Sequence, residues 1–413
     1  MKFKEFFCSA HKTHTGILLF LAFLIPSGVY FLETITIAAL FLNWFFRIGS
    51  VHIISKIQTS YLLLIALFLL YVLGLIYTNN VSAQSAAIFQ HLSYAVVPIS
   101  LTGYSLSNKL IKLIKKIFVF STSTFVLLAI CYAFADYAYT GKSTVYVMES
   151  IQSKFTYYGF TRIFKNWHPT YVSMFCNLAM IFTYNEFLKQ RKYYVSVLLL
   201  LLLTAAIFLL NSITGITVFF LVLAYIIFSI VKLWSRVFFV YLGSLFLVFI
   251  VVFIGPLKTE KISNIIGNEI NLIDANTQNS RNHLNVRLAN WQASYQLFKE
   301  SPLIGVSPGD YRLRLRQAYD TNQFIYGVKN NLSSHNQFLT ILSSFGLFGF
   351  TLFIIILIYP TASSRRLREF ILIFSLFCLT EDLLLRQQGI VAFAFFYCIL
   401  ISRPITISNE YSN

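Results

Sequence analysis

The chain has 413 residues, of which 57% are hydrophobic and 11% charged, against about 25% charged in an ordinary globular domain. With 43 Phe, 25 Tyr and a mean hydropathy of +0.70, it is no disordered chain, nucleic-acid-binding domain or disulfide scaffold, and the net charge of +17 must be read as that of a polytopic membrane protein. The five Cys are scattered, and no spacing among them suggests a metal site.

A helix needs about 20 apolar residues to cross the hydrocarbon core. Taken in chain order, candidate spans lie near 16–32, 35–48, 60–77, 86–104, 114–138, 168–187, 193–210, 213–231, 236–254, 336–359, 369–385 and 388–402. The expected fold class is an all-α polytopic membrane protein with about 12 transmembrane helices. The first span follows Lys2, Lys4 and Lys12, lacks a small-x-small cleavage site and reads as an uncleaved anchor. With the N-terminus placed in the cytoplasm, the cytoplasmic segments hold 18 basic residues against four acidic ones, a positive-inside pattern. Both termini are then expected in the cytoplasm.

Two long connections fall on the outer side, 139–167 and about 255–335. The organisation is therefore an N-terminal bundle over 1–254, a large outer loop over 255–335, and C-terminal spans with a tail over 336–413. Within the loop, Leu284, Leu288, Trp291, Tyr295 and Phe298 recur at three- and four-residue steps, which predicts an amphipathic helix with these side chains inward. Ser301-Pro302 should end it.

The polar motifs are few. Gly141-Lys142-Ser143-Thr144 lacks the earlier glycine of a phosphate-binding loop and reads as a plain loop. No Asp-x-Asp and no His-Glu-x-x-His occurs. Glu381 and Asp382 read as a helix end, with Asp382 pairing to Arg386 at i+4. His11 and His14 read as solvated, and His91 as a hydrogen-bonded interior residue. His168 and His335 each open a span at the outer boundary, where an imidazole can accept a proton. The loop carries Arg281, Arg287, Arg312, Arg314 and Arg316. Arginine is suited to phosphate because its fork contacts two oxygens at once.

Three stretches together carry a resemblance. They are Arg287 followed by Trp291, Phe298, Pro302-Leu303-Ile304-Gly305-Val306 and Gly309-Asp310-Tyr311; His335-Asn336-Gln337-Phe338-Leu339 with Gly346-Leu347-Phe348-Gly349; and His168-Pro169-Thr170-Tyr171. This arrangement resembles the O-antigen ligase and polymerase superfamily, which includes bacterial protein O-oligosaccharyltransferases. The stretch from Thr380-Glu381-Asp382 to Arg386-Gln387-Gln388-Gly389 looks like members from the Bacteroidota. The likeness covers about 160–400 closely, and the N-terminal part in span pattern only.

The resemblance implies a C-type glycosyltransferase-like membrane fold in the bacterial inner membrane, with the large loop periplasmic. It implies transfer of a glycan from undecaprenyl pyrophosphate to an acceptor hydroxyl, inverting and metal-independent, with no cofactor. The acceptor is lipid A-core for a ligase or another glycan for a polymerase; alternatives are a protein O-oligosaccharyltransferase or a lipid-linked saccharide flippase. The family's base maps to His335 and its pyrophosphate contact to Arg287. Members often carry Ser-Arg where this chain reads Ser212-Ile213. Arg281, Arg162 and Lys165 are the candidate substitutes, and His168, Asn336 and Arg312 complete the expected binding residues.

Overall fold

A computed structural model describes residues 2–48, 57–104, 106–140, 158–164, 166–231, 283–362 and 364–401, which are helical with no strand among them. The bundle contains α1 (Lys2–Leu24), α2 (Tyr30–Asn43), α3 (Thr59–Leu73), α4 (Val81–Gln90), α5 (Ser93–Leu101), α6 (Asn108–Thr140), α7 (Pro169–Glu186), α8 (Tyr193–Leu210) and α9 (Ile213–Val231). A cap follows, of α10 (His283–Glu300), α11 (Pro308–Thr321) and α12 (Ile325–Lys329), and the chain returns through α13 (Gln337–Ile358), α14 (Arg365–Cys378) and α15 (Gln387–Ile401).

Among the described residues, four helical stretches are long and apolar enough to cross a membrane, Thr59–Ile76, Asn108–Ala138, Tyr193–Leu210 and Gln337–Ala362. Shorter apolar helices cover Tyr30–Phe46, Ile213–Ser229 and Gln387–Ile401. The expected span 236–254 and the Gly141–Thr144 motif lie outside the described residues. At 1.5 Å per residue the 33 residues of α6 extend about 50 Å, well beyond the roughly 30 Å hydrocarbon layer.

Two helices form the hub. In α7 every residue but Asn185 is buried, and in α15 every residue from Gln388 onward. The small side chains of Ser173, Cys176, Ala179, Ala392 and Ala394 let neighbouring backbones approach. Aromatic rings fill the remaining space, with Phe118 packed edge-on against Phe396 (4.8 Å) and Phe175 (5.9 Å).

Two expected continuous spans are broken. The segment 86–104 divides at His91-Leu92 into α4 and α5. His91 is an interior residue as expected, its two ring nitrogens each 2.8 Å from a carbonyl oxygen, of Ala87 and Leu384. In α13 the helix bends at Gly346 (φ +62°, ψ −162°). A Cβ there would lie 2.3 Å from the carbonyl carbon of Leu303, and one on Gly305 2.3 Å from that of Ser344. The two glycines thus let two backbones touch. Four hydrogen bonds join them: Val306 N and Ser307 N donate to Ser343 O and Ser344 O, and Leu347 N and Phe348 N to Pro302 O and Leu303 O. The paired motifs read from the sequence are therefore one clasp between cap and bundle.

A second clasp uses Asp310. Its Oδ2 accepts from Thr78 Oγ1 (3.0 Å), Asn79 N (2.8 Å) and Ser307 Oγ (2.9 Å), and Gly309 N donates to Gln84 Oε1 (2.6 Å). The cap has its own small core, centred on Ala293, Leu297, Tyr311, Leu315, Tyr319 and Phe324. The helix α10 spans the expected residues and stops before Pro302, but its inward face is not the expected one. Ala289, Asn290, Ala293, Ser294 and Leu297 are buried, whereas Tyr295 is 49% exposed and Leu288, Trp291 and Phe298 are half-buried. Close approach to α13, sealed by Ser343 Oγ donating to Ser294 O (2.7 Å), selects the small-residue face. His14 also differs from expectation. It is fully buried against Tyr104, its Nδ1 3.1 Å from Asn43 Nδ2, because α1 and α2 pack tightly there.

Candidate active site

The cap face of the bundle gathers the connections between helices, and there the loop 379–386, between α14 and α15, meets the chain entering α13. Asp382 builds the junction. Its Oδ1 accepts from Thr340 Oγ1 (2.6 Å), Ser334 Oγ (2.8 Å) and Asn336 N (3.0 Å), and its Oδ2 from His335 N (2.8 Å). Tyr171 OH donates to Asp382 O (2.9 Å), and Leu384 N donates to Gln337 Oε1 (2.7 Å). A buried carboxylate is tolerated only when its acceptor sites are filled in this way. The expected i+4 pairing of Asp382 with Arg386 does not form, because the segment is loop and a short 3-10 turn (Leu383–Leu385) rather than α-helix.

The junction holds His335 at φ +49°. A left-handed backbone costs a residue with a Cβ about 1–2 kcal/mol, and such geometry persists where the surroundings over-determine it. Three consecutive residues, Ser334, His335 and Asn336, are pinned by one carboxylate. The imidazole is thereby aimed at Glu381, with Nδ1 3.2 Å from Oε2. The His335 side chain is 30% exposed and that of Glu381 11%. Among the described residues no hydrogen-bond partner meets His335 Nε2.

Both groups lie in connections outside the membrane-spanning helices. Burial disfavours protonation of His335, but the hydrogen bond to Glu381 and the charges of Glu381 and Asp382 outweigh it and hold its pKa above the usual 6.5. For Glu381, burial pushes upward, while the hydrogen bond and charge of His335, with His168 and Arg287, bring the carboxyl below 4.5. His168, just ahead of α7, is lowered to about 4, first by burial and then by the charges of Arg386 and His335, against an opposing pull from Glu381. A carboxylate that accepts from Nδ1–H leaves Nε2 as a proton acceptor, the arrangement of an oriented general base.

The other expected residues separate into groups. Arg287 on α10 is half-buried, and its charge acts on both His335 and Glu381. His168 and Arg162 line a cavity of about 370 Å³ beside the junction, together with Arg386. Asn336 caps α13, its Oδ1 accepting from Phe338 N and Leu339 N. Arg312 lies on α11, exposed, donating to Asn331 O (3.2 Å). Arg314 pairs with Glu300. The described loop arginines, Arg287, Arg312, Arg314 and Arg316, are thus dispersed over two helices. Arg281 and Lys165 lie outside the described residues. Among the described residues no group of three or more His, Cys, Asp and Glu is placed to hold a metal ion.

Sequence reasoning missed Glu381, Asp382 and Arg386 as site residues. The available signal was two adjacent carboxylates just past an apolar run, where ionisable groups are costly and tend to be functional. Ile213, where an arginine was expected, is 56% exposed. Its neighbours reach the site: Ser212 Oγ donates to Thr170 Oγ1 (3.5 Å), and Thr214 Oγ1 lies 2.6 Å from Thr380 Oγ1.

No curated protein matches the chain. Residues 198–354 match the family model described as O-antigen ligase. That segment contains Arg287, His335 and Asn336, while Glu381, Arg386, Arg162 and His168 stand outside it. The match, over well under half of the chain, supports the likeness to the O-antigen ligase and polymerase superfamily, and the membrane-length helices agree with it.

Proposed function

We propose that the protein is a multi-pass membrane glycosyltransferase that moves a glycan from undecaprenyl pyrophosphate to an acceptor hydroxyl at the periplasmic face of the bacterial inner membrane. The observation that carries this reading is the half-open imidazole of His335, set by the buried carboxylate of Glu381 at 3.2 Å.

The acceptor hydroxyl gives its proton to His335 Nε2 as its oxygen forms a bond to the anomeric carbon. The bond from that carbon to the diphosphate oxygen breaks on the opposite side, and the diphosphate leaves with the electron pair, so configuration inverts. Glu381 orients the ring and offsets the positive charge that develops on it. Arg287 supplies fixed positive charge close to the reacting groups, and preorganised charge is effective where water is excluded. No metal or cofactor is needed for this balance.

The test uses purified protein in liposomes with undecaprenyl-pyrophosphate-linked glycan and two acceptors, lipid A-core and a second lipid-linked repeat. Transfer to lipid A-core that vanishes in His335→Ala makes it a ligase. Lengthening of the lipid-linked glycan with the same dependence makes it a polymerase. Absence of transfer to both acceptors, or full activity in His335→Ala, overturns the reading.

A further inference from the structure

We propose that the cap turn made by Pro302, Leu303 and Ile304 dips into the bilayer at the head-group boundary and anchors the cap to the lipid surface beside α3 and α13.

Three consecutive apolar residues stand exposed on this turn, Leu303 at 69% and Ile304 at 52%. A turn that meets water normally carries polar side chains or glycine at its tip, and a contiguous exposed apolar patch marks a contact surface. Two stripes of exposed apolar side chains lead up to it. On the stretch Thr59–Ile76, Leu69, Leu73 and Ile76 are exposed at four- and three-residue steps, which is one helix face. On α13, Phe348, Ile355 and Ile358 form a second such face. The two helices pack together, with Tyr71 edge-on to Phe345 at 4.8 Å.

The turn is bonded to the cap end of both stripes. Leu347 N and Phe348 N donate to Pro302 O and Leu303 O. Tyr77 OH, one residue beyond the Thr59–Ile76 stretch, donates to Ile304 O (3.1 Å). Leu303 and Ile304 are therefore level with the last residue of one membrane-length stretch and with the bend of another. This continuity identifies the partner of the patch as lipid.

Irregular backbone is tolerated at a membrane only where its polar groups are satisfied. Ser301 O accepts from Gly305 N (2.9 Å), so all four carbonyls from Ser301 to Ile304 are filled, and Pro302 has no N–H. Among the described residues the N–H groups of Leu303 and Ile304 meet no acceptor. That sets the turn at the boundary, where lipid ester and phosphate oxygens accept, rather than in the hydrocarbon centre. Tyr77 is of the residue type that gathers at this level. Part of the segment 255–335, expected as an outer loop, thus belongs to the membrane. The turn directly follows α10, so the anchor also fixes where the helix carrying Arg287 stands over the site.

The experiment uses the full-length protein in liposomes. Leu303→Cys and Ile304→Cys are each coupled to the fluorophore NBD. Phe348→Cys is the lipid-facing reference and Asp320→Cys, exposed on α11, the water-facing one. The unsubstituted protein, with its five native cysteines, sets the background. Both turn labels should emit to the blue of the Asp320 label. They should lose intensity to phospholipid bearing a doxyl quencher near the ester end of its chain, and not to aqueous iodide. Iodide quenching equal to that at Asp320 overturns the anchor. Protection from both quenchers also overturns it, since protein such as a second copy would then cover the turn. Either site alone decides the matter if the other substitution prevents folding. No reading depends on transfer, so failure of the anchor and failure of the glycosyltransferase reading are separate results.

Discussion

The protein buries two acid–base pairs at opposite ends of the bundle. Lys115, near the start of α6, meets Glu186, at the end of α7, and each side chain is only 4% exposed. His335 meets Glu381 at the other end, with exposures of 30% and 11%. The distance between them is set by α7, whose 18 residues span about 27 Å. The surroundings differ as much as the exposure. Lys115 is closed in beneath the Phe182 ring, with Asn185, Glu369, Tyr225 and Arg365 forming a polar seal nearby. His335 sits on a left-handed backbone, at an open face, beside a cavity lined by arginines. A sealed pair of opposite charges can only hold the fold. A pair with one open edge and a titrating imidazole can also move a proton.

That contrast is broken most severely at His335. His335→Ala should lower transfer by at least about 100-fold, the range of general-base catalysis, while the protein inserts and melts nearly as wild type; a smaller loss measured in liposomes would deny it the role of base. Next comes Glu381→Gln, which should lower transfer through misorientation of the ring. It carries a second signature in the pH profile. Transfer needs neutral His335, so activity falls as pH drops through a value above 6.5. Glu381 raises that value, so the acid limb should move to lower pH in Glu381→Gln. An unmoved limb would mean that Glu381 is structural.

The stability of the same pair runs the other way. The raised His335 contributes below its unfolded pKa, and that contribution is lost as pH rises through the folded value; the lowered Glu381 contributes above about 4.5 and loses it on acidification. The ion pair is therefore strongest in mildly acidic solution, where the base is unavailable.

Smaller functional effects are expected at the sealed pair. Lys115→Met strands the Glu186 carboxylate and should destabilise the protein by about 3–5 kcal/mol, visible as a lower melting temperature in detergent. The double variant Lys115→Met with Glu186→Leu should recover most of that loss. Transfer per folded molecule should be unchanged in both. A rate defect in the double variant would place this end of the bundle in the mechanism.

Part of this was legible in the residues. The helix over 283–300 follows from its periodicity and from Pro302, whereas the roles proposed for His335 and Arg287 come from the resemblance carried by the motifs that flank the cap. The inward face of α10 was not legible, because hydrophobicity favours Trp291, Tyr295 and Phe298, whereas close packing on α13 favours Ala293 and Ser294. The partner of Asp382 was misread for a related reason: i+4 spacing implies contact only on a helix, and residues 379–386 are a loop.

The sequence by itself determined the membrane class, the all-helical composition and most segment limits, since these depend on local apolar runs, caps and prolines. Only the tertiary structure decided that Glu381, 46 positions away, orients His335; that two glycines clasp cap to bundle; and that Arg162 and Arg386 share a cavity. These contacts join residues remote in the chain, and they depend on how closely the buried faces of α7, α13 and α15 approach, which no local pattern encodes.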